Sequence, residues 1–124
     1  MYRRNGKYNA RKTLVSGKVF DSNAEANMYM ALKQWVKDGK IRDLKTQVEF
    51  TLQPGYRSNG KAVRPIKYLA DFTFFDIKQD KYRVIDCKGI RTPVYLLKKK
   101  LFGFVNLGQA LSIEESLWVN FGGC

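Results

Sequence analysis

Apolar residues recur at the spacing of one helix face over about residues 22–39. These residues are Met28, Tyr29, Leu32, Trp35 and Val36. Ser22, with Glu25 three residues later, predicts a capping box at the helix start, and Gly39 predicts its end. The pattern therefore predicts a first helix with one buried face.

Three later segments have the alternating or concentrated apolar residues typical of strands. They lie near residues 44–52, 66–76 and 82–88, and polar or Pro/Gly-containing turns separate them. In the last two segments apolar residues occupy both parities, which predicts a sheet covered on both faces.

Thr92-Pro93 has the pattern of an N-cap followed by proline at the first helical position, and predicts a second helix to about Val105. One or two short strands are expected near residues 110–113 and 117–121. The order helix, strands, helix, strand predicts a compact α/β domain with a central mixed sheet flanked by helices.

Length and composition indicate one domain. The chain has 124 residues, of which 44% are hydrophobic, enough for a single core. Residues 1–17 are basic and rich in Gly and Asn, so we expect a basic N-terminal arm at 1–17 and a single domain at 18–124.

The net charge is +12, and it is regional: no Lys or Arg follows Lys100, so the first hundred residues hold 23 − 9 = +14. This excess favours a polyanionic partner, of which nucleic acid is the commonest. A solubilising surface is the alternative. Arg11 and Lys12 in the arm are candidate nucleic-acid contacts.

Cysteine and histidine usage limits the metal chemistry. The chain has no His and two Cys, which excludes a zinc site of the common kind and leaves hard ions held by oxygen atoms, such as Mg²⁺ or Mn²⁺. No signal-like or membrane-spanning apolar segment is present. We therefore expect a cytoplasmic protein with no membrane partner and no disulfide.

Asp71 and Asp86 interrupt apolar strands, where an ionised carboxylate is costly unless it is paired or metal-bound. Lys88 shares a strand face with Asp86. A turn centred between Lys78 and Gln79 places Asp71 opposite Asp86, and a turn centred one residue later places it opposite position 88. Both registers are compatible with a metal site, and both are compatible with a strand-end ion pair.

Glu25 shifts the balance towards a site. Leu32 and Val36 fall within about 20° of Glu25 around the helix, so this acid is centred on the apolar, sheet-facing side. A carboxylate that serves only as a cap would tolerate any face of the first turn.

With these residues in place, the sequence resembles the PD-(D/E)xK nuclease superfamily, which includes many restriction enzymes and Holliday-junction resolvases. The matching segments are 20–26 (FDSNAEA), 68–72 (YLADF) and 84–89 (VIDCKG). More closely, residues 7–104 resemble small phage-encoded nucleases akin to phage endonuclease I. The chain departs from the motif at Ala70, which stands where the motif has Pro.

The resemblance implies a restriction-endonuclease-like fold and a metal-dependent DNA endonuclease. It implies that Asp71, Asp86 and the backbone carbonyl of Cys87 bind Mg²⁺ or Mn²⁺, and that Glu25 completes the site directly or through water. Lys88 would orient or deprotonate the attacking water. The implied partner is DNA, on which a homodimer would suit branched or junction substrates. For a phage-encoded chain the setting would be the host-cell cytoplasm.

The remaining candidate DNA contacts lie in and before the second helix, at Arg91, Lys98 and Lys99. For any one of them a solvated helix face is an equal alternative. The rival function is a non-catalytic, basic nucleic-acid-binding module, and a third is a degenerate nuclease fold that acts as an anti-host or assembly factor.

Overall fold

The structure, a computed structural model, describes residues 13–15, 17–20, 22–87, 91–109 and 111–115. Arg11, Lys12, Lys88 and the strand predicted near 117–121 lie outside the described residues. In chain order the elements are β1 (Thr13–Val15), β2 (Lys18–Phe20), α1 (Asn23–Lys37), β3 (Ile41–Gln53), β4 (Tyr56–Ser58), β5 (Lys61–Val63), β6 (Ile66–Asp76), β7 (Lys81–Ile85), α2 (Pro93–Val105), a 3-10 turn (Leu107–Gln109) and β8 (Ile113–Glu114).

Both helices begin at the predicted caps. The Ser22 side chain accepts a hydrogen bond from the backbone N–H of Glu25 at 3.1 Å, and Thr92 accepts one from Tyr95 at 3.1 Å. After α1, Gly39 adopts the left-handed conformation that favours glycine at a helix end, with φ +75°. Neither described helix has the length and apolar character needed to span a bilayer.

The central sheet has the strand order β3–β6–β7–β8. The first three strands are antiparallel, and β8 runs parallel to β7, so the sheet is mixed. Together with the two helices this confirms the predicted α/β class with a mixed central sheet. Two short hairpins, β1–β2 and β4–β5, lie outside this sheet.

Of the two registers considered for the β6–β7 hairpin, the structure has the first. Phe72 pairs with Ile85 and Phe74 with Arg83, which places Asp71 opposite Asp86. Strand β7 ends at Ile85, earlier than predicted, and Asp86 follows it directly.

The core forms two clusters, and β6 contributes to both. Phe72 and Phe74 pack with α1, whereas Tyr68 and Ala70 pack with α2. The change from one cluster to the other falls at Asp71. The strand around Asp71 is therefore fixed by packing against α1 on one side of this position and against α2 on the other.

The short strand β8 is fixed to β7 by a buried ion network. Arg83 donates to Asp76 at 2.9 Å and, through two nitrogens, to Glu114 at 2.7 and 3.0 Å. Its side chain is only 10% exposed. Since strands β7 and β8 pair over only two residue positions, this network is a main link between them.

Candidate functional site

Two carboxyl groups meet at the sheet position where β6 and β7 lie side by side. Asp86 is 1% exposed, and Asp71 is half-buried. Burial, followed by the charge of Asp86, raises the pKa of Asp71 to about 8; the charge of Glu25 and a hydrogen bond with Asp86 act in the same direction. Two acids that share one buried position in this way attract a proton or a cation.

Asp86 is held by groups from two other elements. The Tyr68 hydroxyl, on β6, donates to the Asp86 carboxylate, and the Asp86 backbone N–H donates to the Glu114 carbonyl of β8 at 3.1 Å. Burial, together with the hydrogen bond to Asp86, raises the pKa of Tyr68 far above its ordinary value. Tyr68 therefore remains a hydrogen-bond donor at any physiological pH.

Asp71 is tied to the segment that follows β7. One of its oxygens accepts a hydrogen bond from the backbone N–H of Cys87 at 2.9 Å, and this bond acts to lower the pKa that burial raises. The bond brings the Cys87 backbone beside both acids.

Glu25 lies near this pair without joining it. The residue is 6% exposed, on the α1 face predicted from the sequence, and its carboxylate accepts a hydrogen bond from the Gln47 side chain at 2.7 Å. Its charge acts on Asp71. Over the described ranges, however, no three Asp, Glu or Cys side chains converge closely enough to hold a metal ion among them.

The donor set still suits a hard cation. Mg²⁺ keeps several of its waters and is commonly bound through one or two carboxylates with oxygen donors only. Asp71 and Asp86 would hold the ion, with the Cys87 carbonyl as a further oxygen, and Glu25 fits better as a contact through water than as a direct ligand.

Gln47 is a site residue that the sequence analysis missed. It lies on β3 between Thr46 and Val48, which pair with Phe72 and Ala70, and so it stands across from Asp71. Its φ is +53°, in the left-handed region that is uncommon for a residue other than glycine. Strained backbone of this kind concentrates at functional sites. A glutamine in a strand of alternating polar and apolar residues gives no sign in the sequence that its backbone is strained.

The basic residues predicted on and before α2 do not all present free charge. Arg91 and Lys99 both pair with Glu115, at 2.9 and 3.2 Å, and the Tyr95 hydroxyl donates to the same carboxylate. Burial acts to raise the pKa of Glu115, but these hydrogen bonds and cations outweigh it and lower the pKa. Lys98 is half-buried on α2.

Fold and site together define a small α/β domain with a buried carboxylate pair at the junction of two central strands. Residues 5–114 match the family described as "Protein of unknown function (DUF1064)". The chain belongs to this family. No curated protein and no solved structure matches it.

Proposed function

We propose that this protein is a metal-dependent DNA endonuclease with a restriction-endonuclease-like core, acting in the cytoplasm. The observation that carries the proposal is the pair of the buried Asp86 and the half-buried Asp71 beside the Cys87 backbone, with Glu25 close by. A purely structural role would not require two adjacent acids at a position where the charge of Asp86 disfavours the ionisation of Asp71.

Each group has a distinct part in the proposed hydrolysis. Asp71 and Asp86 hold the cation, and Tyr68 orients Asp86 through its hydroxyl. Glu25, itself oriented by Gln47, positions water on the α1 side. Lys88, by the resemblance, stabilises charge on the phosphate and orients the attacking water. A cation held there would supply an activated water and neutralise charge that builds on phosphorus.

The order of elements also supports the proposal. The chain follows the order that the resemblance requires. First comes a helix with one acid, then a strand with the second acid, and then a strand end followed by Asp-x-Lys. The strands β6 and β7 are adjacent and antiparallel, so Asp71 of the second segment and Asp86 of the third lie side by side.

The test is cleavage of labelled single-stranded, duplex, flap, fork and four-way-junction DNA with Mg²⁺ or Mn²⁺. We expect cleavage by the wild type, loss of at least 100-fold in Asp71→Asn and Asp86→Asn, and loss of all activity in EDTA. Asp80→Asn is the matched control because Asp80 is exposed in the turn of the same hairpin. Undiminished cleavage by either site variant would contradict the assignment.

A non-catalytic nucleic-acid-binding module is the second candidate. It is favoured by the finding that no group of three metal-ligating side chains forms within the described residues. A degenerate nuclease fold used as an anti-host or assembly factor is a related candidate, because it too would not cut DNA. Both predict DNA binding that EDTA leaves unchanged and no strand cleavage with any substrate or ion of the panel.

A further inference from the structure

A basic groove lies between α1 and β3. It encloses about 510 Å³, and among the described residues that line it are Lys18, Lys33 and Lys45 but no acid. Tyr29, Thr46 and Val48 form part of its wall. Three cations around one concave surface with no carboxylate constitute a site for a polyanion.

The charges of this groove are available, whereas Arg91 and Lys99 pair with Glu115. Lys18 donates to the hydroxyl of Thr46 at 3.4 Å, and Lys33 lies 5.9 Å from the centre of the Tyr29 ring; both neighbours are neutral. Within the part of the chain that the structure describes, neither Lys33 nor Lys45 has a carboxylate partner. A lysine without an ion pair can bind a phosphate without first losing the free energy of that pair.

The groove and the carboxylate site share two elements, α1 and β3. On α1, Tyr29 stands one turn after Glu25 and Lys33 two turns after it, so Lys33 lies about 12 Å along the helix from Glu25. On β3, Gln47 lies between the wall residues Thr46 and Val48 and donates to Glu25. The same two elements therefore form the groove and one side of the site.

We infer that this groove, defined by Lys18, Lys33 and Lys45, holds the sugar-phosphate backbone of the DNA strand that enters the carboxylate site. The inference rests on the proposed nuclease function for its substrate. It adds phosphate contacts on the α1–β3 side to the candidates named from the sequence, which were Arg11, Lys12, Arg91, Lys98 and Lys99. A strand held along α1 would present successive phosphates to the lysines and then to Asp71 and Asp86.

The experiment is fluorescence anisotropy of a labelled duplex and a labelled four-way junction in EDTA, where binding is measured without cleavage. Each lysine–phosphate contact adds about 0.9 to the slope of log affinity against log salt. The double variant Lys33→Gln/Lys45→Gln should lower that slope by about 2 and weaken binding by about tenfold or more at about 0.1 M salt.

Two further double variants make the result specific. Lys33→Arg/Lys45→Arg keeps both charges and should keep the wild-type slope. Lys61→Gln/Lys81→Gln removes two exposed lysines of other strands and should change binding several-fold less than the groove variant. Wild-type binding by the groove variant, an equal loss in the Lys61/Lys81 variant, or no DNA binding by the wild type would each overturn the inference.

The cleavage assay separates this inference from the proposed function. A wild type that binds DNA through the groove but never cuts it would refute the nuclease and leave the groove supported. A protein that cuts DNA but binds it equally well without Lys33 and Lys45 would refute the groove inference and leave the nuclease proposal intact.

Discussion

Folding changes the protonation of Asp71 within the physiological pH range. An aspartate in an unfolded chain has a pKa of about 3.9, whereas burial beside Asp86 raises the pKa of Asp71 to about 8. Between those two values the folded state binds a proton that the unfolded state has released. Without a bound cation, the site therefore opposes folding more strongly as the pH rises.

We predict that the free energy of unfolding in EDTA falls as the pH rises from about 6 to about 8, by at most about 1.4 kcal/mol per pH unit. The sign follows from the raised pKa of Asp71. Its contribution to stability is complete below the pKa of the unfolded chain and is lost as the pH rises through the pKa of the folded state. The chain has no histidine, so few other side chains titrate in this window. Urea unfolding at several pH values measures the slope.

Asp71→Asn is the control for this titration, since its side chain resembles the protonated acid and does not ionise. The variant should be more stable than the wild type at about pH 8 and should lose most of the slope. A wild type whose stability is the same across this range, or a variant with the same slope, would show that Asp71 does not titrate there.

At the same scale, the acids were predictable and their partners were not. Glu25, Asp71 and Asp86 stand out because each is an acid at an apolar position of a helix or strand. Tyr68 and Gln47 do not stand out, because a tyrosine in a strand and a glutamine beside it are ordinary. Their roles depend on contacts across 18 and 22 residues of chain.

At the scale of elements, β8 is a two-residue strand on which a buried carboxylate depends. Its Glu114 carbonyl accepts from the Asp86 backbone, and its Glu114 side chain pairs with Arg83 on β7. The position of Asp86 is thus linked through Glu114 to an ion pair lying three residues earlier in the chain.

We predict that Arg83→Met lowers the free energy of unfolding by about 3–5 kcal/mol, since it leaves Asp76 and Glu114 without their shared cation in a buried place. Chemical denaturation measures this. Lys67→Met is the matched control: its pair with Glu49 is 3.2 Å long but about half exposed, and it should cost less than about 1 kcal/mol. Equal losses of unfolding free energy in the two variants would show that the Arg83 network stabilises the fold no more than an exposed ion pair does.

The elements themselves were predictable wherever the signal was local. Caps at Ser22 and Thr92, the turn at Asn59-Gly60 and the extent of β6 all follow from neighbouring residues. The strands β1 and β2 were not predicted, because their apolar pattern covers only three residues each. The parallel pairing of β8 with β7 joins residues about 29 positions apart, beyond the reach of any local pattern.

At the scale of the whole molecule, the charge is distributed differently in space than along the chain. The sequence shows a long basic region and two late acids, Glu114 and Glu115. In the fold these acids neutralise Arg83, Arg91 and Lys99, so the α2 side loses much of its charge. Around the groove, Lys18, Lys33 and Lys45 have no carboxylate partner within the described part of the chain.

We predict that Mg²⁺ stabilises the whole fold through linkage. At a concentration about 100-fold above its Kd the ion should raise the free energy of unfolding by about 2.7 kcal/mol. The effect should grow as the pH rises towards about 8, because binding displaces the proton of Asp71. Thermal unfolding with Mg²⁺, compared with KCl at equal ionic strength, measures the shift.

Asp71→Asn and Asp86→Asn should abolish this stabilisation, and Asp80→Asn should retain it. If all three variants are stabilised as the wild type is, the ion acts at another place. A shift that is absent from the wild type as well would contradict the proposed cation site directly.

The late position of β8 has a consequence for synthesis of the chain. The β6–β7 hairpin joins neighbouring segments and can form as soon as both have left the ribosome, whereas the β7–β8 pair must await some thirty further residues. In that interval Asp71 and Asp86 already face each other, while Arg83 and the Asp86 backbone still lack their Glu114 partner. The strand that secures Asp86 therefore becomes available only after the hairpin that brings the two acids together.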